Sequence, residues 1–157
     1  MEDMDVTHSS LLLAILFIVN ETASQNAEEF GFHSGDIIQE WLWDDDVNDS
    51  IRTKLEALTG EELVDEDYEE SPVDGAIIWW RDGDDEDSLA DTIVDASSVL
   101  ANGNPLWIVT PKPGRTGAAS ASVIMSAAKT AGMNALTPLT VAPDWNGVRL
   151  RAFGKGR

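Results

Sequence analysis

The sequence predicts a single α/β domain whose sheet is mostly parallel and ends in an antiparallel hairpin. From about residue 35 to residue 132, apolar strand-like runs alternate with amphipathic helix-like segments, which is typical of parallel strands joined by crossover helices. The last two strand-like segments are separated instead by a short turn that contains Asn146-Gly147, the pattern of a hairpin. Both observations favour a sheet that is covered by helices and closed at its end by a hairpin.

The first predicted strand is GDIIQEWLW, residues 35–43, in which successive side chains alternate between two faces. A short helix follows, with apolar residues at i, i+4 and i+7 from Ile51, and Gly60 ends it. Residues 61–68, EELVDEDY, form a weak second strand. Because this segment is too acidic for the centre of a sheet, we expect it near an edge.

The next strand, VDGAIIWW at residues 73–80, is a continuous apolar run of the kind that helices cover on both faces. Since strand side chains alternate, Trp79 and Trp80 must point to opposite faces, and at least one of them belongs to the core. Residues 88–91 read S-x-x-D and resemble a capping box that opens a helix. The acidic run at residues 82–87 is therefore a strand-to-helix loop.

The remaining elements complete the predicted sheet. PLWIVTP (105–111) is another buried strand, and a loop, PKPGRTG (111–117), leads to a helix of small residues at 118–131. ALTPLTV (135–141) and VRLRAF (148–153) then form the antiparallel pair. This order outlines a Rossmann-like, methyltransferase-like fold, and a fold by itself assigns no activity.

Chain length and composition fit one domain, at residues 27–153, with a basic tail at residues 154–157. Residues 1–26 form an extension whose apolar run, Leu11–Val19, reaches only about 13 Å as a helix against a bilayer core of about 30 Å. Acidic residues precede this run where a secretory signal carries positive charge, so we expect no membrane span and no signal peptide. The extension can pack on the domain, mediate self-association or come from an upstream start codon.

Charge is divided sharply along the chain. Residues 1–105 hold 28 acidic and 3 basic side chains, whereas residues 106–157 hold 1 and 7. Nucleic acid is not expected as a partner of the acidic part, because phosphate binding needs cationic density. High negative charge can serve solubility alone or attract a basic protein partner. The absence of cysteine excludes disulfides and thiolate sites and fits a reducing, cytoplasmic location.

Two acidic loops follow the first strand and the strand at residues 73–80, and the carboxyl ends of parallel strands share one edge of a sheet. Tryptophan is enriched at protein interfaces, so tryptophans that converge at this edge would form a contact surface with the acidic side chains. The predicted partner-binding residues are Trp43, Asp44, Asp45, Asp46, Trp80, Arg81, Asp82, Asp84, Asp85, Asp87 and Trp145.

A second candidate site is the loop that precedes the small-residue helix. Lys112, Gly114, Arg115, Thr116 and Gly117 supply two cations, a hydroxyl and glycine-rich backbone, which can hold a phosphate or carboxylate. It is not a Walker A motif. The competing interpretation, which we favour, is that proline and glycine shape a tight crossover while the two cations pair with the acidic loop.

The sequence offers little for catalysis or cofactors. The turn after the first strand, WLWDDDVND, lacks the glycines that let backbone approach a nucleotide, and its three aspartates would repel pyrophosphate. Neither aspartate-rich loop follows the calcium-binding pattern, and His33 is expected in a solvated turn. We therefore expect no cofactor, no metal site and no catalytic residue.

Five blocks of the chain carry a family resemblance: FGFHSGDIIQEWLWDDDVNDSIR, GEELVDEDY, VDGAIIWWRDGDDED, LWIVTPKPGRTG and DWNGVRL. In this order, over about residues 27–153, they resemble the actinobacterial branch of the domain of unknown function 3052 family. The resemblance implies a small cytoplasmic protein and carries over no activity. We expect a non-enzymatic regulatory or partner-binding protein of undetermined oligomeric state. The alternative is a small-molecule enzyme or sensor that binds an anionic ligand at residues 110–117.

Overall fold

The structure, a computed structural model, describes residues 30–70, 72–81, 86–101 and 103–152. The predicted extension at residues 1–26 and the predicted tail at residues 154–157 lie outside these ranges. The helices are α1 (Asp49–Thr59), α2 (Glu86–Ser98) and α3 (Ala121–Thr130). The strands are β1 (Ile38–Trp41), β2 (Gly75–Trp79), β3 (Leu106–Pro111), β4 (Met133–Ala135), β5 (Leu139–Ala142) and β6 (Trp145–Ala152). None of the described helices is long and apolar enough to cross a membrane.

The sheet has the order β1-β2-β3-β6-β4, and β5 also pairs with β6. Strands β1, β2 and β3 are parallel, whereas β6 runs antiparallel to β3, β4 and β5. The predicted α/β fold with a parallel sheet and an antiparallel finish is therefore confirmed. Because β6 begins where β3 ends, the β5–β6 turn lies at the same sheet edge as the loops that follow β1, β2 and β3. This edge is called the carboxyl edge below.

Three local predictions about the strands were wrong. Residues 61–68 contribute only one isolated parallel bridge, from Val64 to Gln39 of β1, although that bridge does lie at the sheet edge. The strand predicted at 135–141 is split into β4 and β5, with Pro138 between them, because proline cannot donate to the ladder.

The dipeptide Asn146-Gly147 lies inside β6 and not in the turn, opposite Thr110 and Val109 of β3. A side chain at Gly147 would place its Cβ 3.0 Å from Val141 Cγ1 and 3.2 Å from Trp107 Cε3. The glycine is therefore required for close packing over the sheet and not for a turn conformation.

Hydrophobic cores lie on both faces of the sheet, as expected when helices cover a parallel sheet. One core joins α2 and α3 to Ile78, Trp80 and Ile108. The other joins α1 to Ile77 and Trp79. The two adjacent tryptophans therefore point to opposite faces, as predicted, and both are core residues, with Trp79 0% and Trp80 1% exposed.

The segment that enters β1 seals the second core. The ring of Phe32 stacks on that of Phe30 at 5.9 Å, and Phe30 meets Trp107 edge-on at 4.7 Å. The Trp107 Nε1 group donates a hydrogen bond of 2.7 Å to the carbonyl of Phe30. Phe32 lies so close to β2 that a Cβ added at Gly75 would be 2.2 Å from its Cε1 atom.

We predict that Gly75→Ala lowers the free energy of unfolding by about 1–3 kcal/mol, because the new methyl group overpacks the Phe32 ring. Urea denaturation measures the change. In a chain that already carries Phe32→Leu, Gly75→Ala should lower the free energy of unfolding by less than it does in the parent chain, since the smaller side chain leaves room for the methyl group. Equal stability of Gly75→Ala and the parent chain would contradict this packing.

Candidate functional site

Arg81 cross-links the loops that follow β1 and β2 at the carboxyl edge. Its Nη1 atom donates to the carbonyls of Leu42 (2.7 Å) and Trp79 (2.9 Å). Its Nε atom donates to Asp46 Oδ2 at 2.9 Å, and its Nη2 atom donates to the other oxygen of the same carboxylate. This hydrogen bonding to Arg81 holds the pKa of Asp46 below its ordinary value of 3.8. The guanidinium therefore joins the carboxyl ends of β1 and β2.

Leu42, the first residue after β1, has a left-handed backbone with φ 61°. A branched residue pays about 1–3 kcal/mol for such a conformation, which persists only where its surroundings enforce it. Here the Leu42 amide donates to Glu66 Oε2 at 2.7 Å, and its carbonyl accepts from Arg81. The left-handed conformation is thus stabilised by Glu66 at the Leu42 amide and by Arg81 at the Leu42 carbonyl.

A buried carboxylate, Glu40, lies two residues before Leu42, within β1. The side chain of Glu40 is 5% exposed and accepts hydrogen bonds from Arg52 Nε (2.7 Å) and Nη2 (2.9 Å). Trp79 Nε1 donates to the same carboxylate at 3.0 Å. Hydrogen bonding to Glu40 raises the pKa of Arg52, which secures its positive charge. This cluster connects β1, α1 and β2.

The same arginine supports an exposed aromatic ring. Trp43 is 49% exposed, and the guanidinium carbon of Arg52 lies 5.9 Å from the centre of its ring, within cation–π range. The residues that follow, Asp44, Asp45 and Asp46, are exposed. We call these four residues the Trp43 surface. It combines an ordered aromatic ring with three carboxylates, one of which is paired with Arg81.

The other two tryptophans of the predicted contact surface do not converge with Trp43. Trp80 is buried in the core beneath α2 and α3, whereas Trp145 is 8% exposed and packs edge-on against Trp79 on the opposite face, at 5.3 Å. The prediction of a three-tryptophan surface was therefore wrong. Alternation along β2 sends its two tryptophan rings to different cores, and Trp145 follows the ring on the α1 side.

The acidic run after β2 is described only in part. Asp82, Asp84 and Asp85 lie outside the described residues, and Asp87 lies within α2, but the structure does not describe its side chain. Arg81 directly precedes the run, and the structure does describe its side chain. That side chain is engaged as a cross-link rather than presented to solvent.

The predicted anion-binding loop connects β3 to α3 and contacts the β5–β6 turn. Arg115 Nη2 lies 2.9 Å from Asp144 Oδ1 in the β5–β6 turn, and the Lys112 amide donates to the Asp144 carbonyl at 2.9 Å. Within the described residues, this cation pairs with the hairpin turn, and most of the acidic run, with which we expected both cations to pair, lies outside those residues. Both side chains of the pair are more than half exposed, so its contribution to stability is small.

Glycine shapes the same loop. Gly114 (φ 89°) and Gly117 (φ 85°) have left-handed backbones, and a Cβ at Gly117 would lie 3.4 Å from Arg81 Cβ. Thr116 is exposed. The loop thus packs against the arginine that joins the β1 and β2 loops.

The protein family described as protein of unknown function (DUF3052) matches residues 27–153 of the chain. The chain belongs to the DUF3052 family. Its relatives include uncharacterised proteins of Mycobacterium tuberculosis and Mycobacterium bovis, each 39% identical over 133 residues, which cover 85% of this chain and 82% of the relative. The resemblance read from the sequence blocks is confirmed, including its actinobacterial membership.

Solved structures that resemble this DUF3052 chain include methyltransferases. The pyocyanin biosynthetic protein PhzM matches with a TM-score of 0.60 at 8% identity, over 89% of this chain and 57% of that one. The CcbJ methyltransferase from Streptomyces caelestis matches with a TM-score of 0.52 at 11% identity, over 82% and 94%. Mitomycin 7-O-methyltransferase MmcR matches with a TM-score of 0.54 at 11% identity, over 95% of this chain and 60% of that one. At these identities the likeness shows the fold, which is methyltransferase-like.

Sequence reasoning missed three features of this edge of the DUF3052 domain: the Glu40 cluster, the strain at Leu42 and the role of Glu66. One signal was available, because Glu40 lies within a predicted strand between apolar residues and Gln39, and charged residues are rarely buried without a partner. The partner could not be named from the sequence, since two arginines and one lysine precede residue 106 and nothing in the chain order selects one of them.

We predict that Glu40→Gln lowers the free energy of unfolding by about 2–3 kcal/mol, because it removes the charge that compensates Arg52 in a largely buried site. Chemical denaturation at neutral pH measures the loss. Asp49→Asn is the matched control, since Asp49 also lies near Arg52, at 3.5 Å, but its side chain is 83% exposed. The control should change stability by less than about 0.5 kcal/mol. Similar effects of the two variants would argue against a structural role for the buried carboxylate.

A comparison of two substitutions tests the strain at Leu42. Alanine is normally more stable than glycine within regular structure, but at a left-handed position the order should reverse, with Leu42→Gly more stable than Leu42→Ala by about 1 kcal/mol. Both variants lose the same leucine packing, so their difference isolates the backbone. Thermal unfolding measures it, and a more stable alanine variant would show that the backbone is not held left-handed.

Proposed function

We propose that this DUF3052 protein is a non-enzymatic regulatory protein that binds a basic protein partner through the Trp43 surface. The observation that carries this proposal is the half-exposed Trp43 ring, ordered by Arg52 and followed by three exposed aspartates. Tryptophan anchors are frequent among the residues that dominate binding energy. A ring already held in place loses little conformational entropy when it is buried by a partner.

Charge supports the same choice of partner. The carboxylates at residues 44–46 belong to a segment, residues 1–105, with 28 acidic and 3 basic side chains. Such a field steers cationic partners toward the surface and raises the association rate at low salt. We place the protein in the cytoplasm, because a chain with no cysteine suits a reducing compartment.

The crevice at the carboxyl edge supports a non-enzymatic role. Open α/β sheets bind their ligands outside the carboxyl ends of neighbouring strands, and a glycine-rich turn normally allows the close approach. In this chain the turn after β1 contains a strained Leu42 and three aspartates, and Arg81 joins that turn to the end of β2. The methyltransferase activities of MmcR and CcbJ belong to those proteins.

Binding of an anionic ligand at residues 110–117 is the weaker alternative. Arg115 is already neutralised by Asp144, and its amide donates to the Lys112 carbonyl at 3.0 Å. An anion would have to displace a carboxylate and compete for backbone donors that the turn uses.

The proposal predicts that capture of a basic protein by the immobilised full chain depends on the Trp43 surface. Extract of the native host is applied to the wild-type chain, to Trp43→Ala and to the double variant Asp44→Asn/Asp45→Asn. Quantitative mass spectrometry should show at least one basic protein whose recovery falls about tenfold or more with Trp43→Ala, the loss typical of an anchor residue. The aspartate variant should lose the same protein and should reduce the salt dependence of its binding.

The matched control is Asp91→Asn/Asp95→Asn, which makes the same change in net charge at exposed positions of α2. This control should capture the partner normally. Equal recovery on all four chains would overturn the proposal, and equal loss on both aspartate double variants would assign the effect to net charge alone. Thermal unfolding checks that each variant is folded.

A further inference from the structure

An apolar stripe on the α3 side of the sheet ends in two polar residues. Along β3 the stripe comprises Leu106 and Ile108, and these lie opposite Leu150 and Val148 of β6. The next cross-strand pair in the same register is Thr110 and Asn146, at the carboxyl edge. Since directly opposed residues in an antiparallel pair lie on the same face, both polar side chains lie on the face that α3 covers.

The hydroxyl of Thr110 is buried without a partner. The residue is 4% exposed, and within the described part of the chain its Oγ1 atom makes no hydrogen bond. An unsatisfied buried polar group is costly and calls for an explanation. Thr110 is one of five residues with such an atom in the described part of the chain, and it lines a cavity together with a second polar side chain, Asn146. A valine of nearly the same shape would avoid this cost in the ligand-free chain.

A cavity of about 120 Å³, open to solvent on one side, is lined in part by Thr110. It lies between the first turn of α3, the β3–α3 loop and the segment between β4 and β5. Its apolar lining includes Pro113, Ile124, Met125, Leu136 and Pro138. Thr110 and Asn146 also line it. Among the described residues, none that lines the cavity carries a charge.

We propose that this cavity binds a small neutral molecule that is mostly apolar and carries one hydroxyl or carbonyl group. A dry apolar cavity of roughly 150 Å³ accommodates benzene, so this one suits a compact ring or a branched chain of similar size. Thr110 Oγ1 has almost no accessible surface in the described conformation, so the polar group of the ligand pairs with it after the Thr110 side chain turns about its Cα–Cβ bond, and Asn146 is the second polar neighbour. The site lies at the carboxyl edge, where open α/β sheets bind ligands, and it does not depend on the Trp43 surface.

The lining excludes other occupants. A carboxylate or phosphate would find no cation among the lining residues, and its burial there would be unfavourable. The wall is mainly apolar, with Thr110 and Asn146 as its two polar side chains, so an apolar molecule that replaces water there buries apolar surface. Met125, which is 58% exposed, lies at the mouth, and its flexible thioether side chain can adjust to ligands of different shape.

The test uses the full chain and three probes of similar size: phenol, benzene and benzoate. Chemical shifts of backbone amides around the cavity are followed during titration of each probe. Phenol should bind more tightly than benzene, and benzoate should not bind there. Thr110→Val should weaken phenol about fivefold, the value of one hydrogen bond, while benzene binds at least as well as before. This variant should also unfold at the same or a higher temperature.

Replacing an alanine by tryptophan at two positions tests whether binding occurs in this cavity. Ala121, an exposed residue of α3, lines the cavity, so Ala121→Trp should abolish binding of phenol and benzene. Ala57→Trp, at an exposed position of α1, should leave it unchanged. Phenol affinity that is insensitive to Thr110→Val or to Ala121→Trp would overturn the proposal, as would failure of phenol to shift the cavity resonances. Preferred binding of benzoate would assign the ligand to the cations of the neighbouring loop and would also overturn it.

Discussion

The side chain of Glu40, in strand β1, is only 5% exposed, and a buried charge must be compensated by the protein around it. The compensation comes from two different elements, since Arg52 belongs to α1 and Trp79 to β2. The carboxylate therefore fixes where α1 lies against the sheet. Through Arg52 it also contacts the ring of Trp43, which is the exposed aromatic group of the proposed contact surface. A structural ion pair and a candidate binding residue thus share one guanidinium.

The scarcity of positive charge makes this arrangement informative. Only three basic residues precede residue 106, and two of them, Arg52 and Arg81, are engaged in cross-links at the carboxyl edge. Each joins parts of the chain that are distant in sequence and rich in acid. This explains why an arginine separates the apolar strand β2 from the acidic run that follows it. The arginine holds the preceding loop to the strand end, while the remaining carboxylates are left to set the negative field of the surface.

The two ends of the carboxyl edge differ in character. At the β1–β2 end, Arg81 joins the carbonyls of Leu42 and Trp79, and the backbone of Leu42 is left-handed. At the β3–β6 end, the same edge retains a cavity with an unpartnered hydroxyl at Thr110. A contact surface and a small-molecule pocket can thus occupy different ends of one edge. This arrangement suits a sensor that binds a partner, and the two proposals can be tested independently.

The sequence by itself determined the alternation of strands and helices, the family and the opposite directions of Trp79 and Trp80. These follow from side-chain periodicity and from local apolar runs, which do not depend on distant contacts. It also located Trp43 and the aspartates after it at the end of a strand. The tertiary structure alone decided which charges meet, because Arg52, Arg81 and Arg115 could each pair with many carboxylates. It likewise decided that Gly147 serves close packing and that Trp145 is buried, since both depend on residues far away in the chain. Periodicity shows which face a side chain takes, but only the folded chain determines what lies opposite that face.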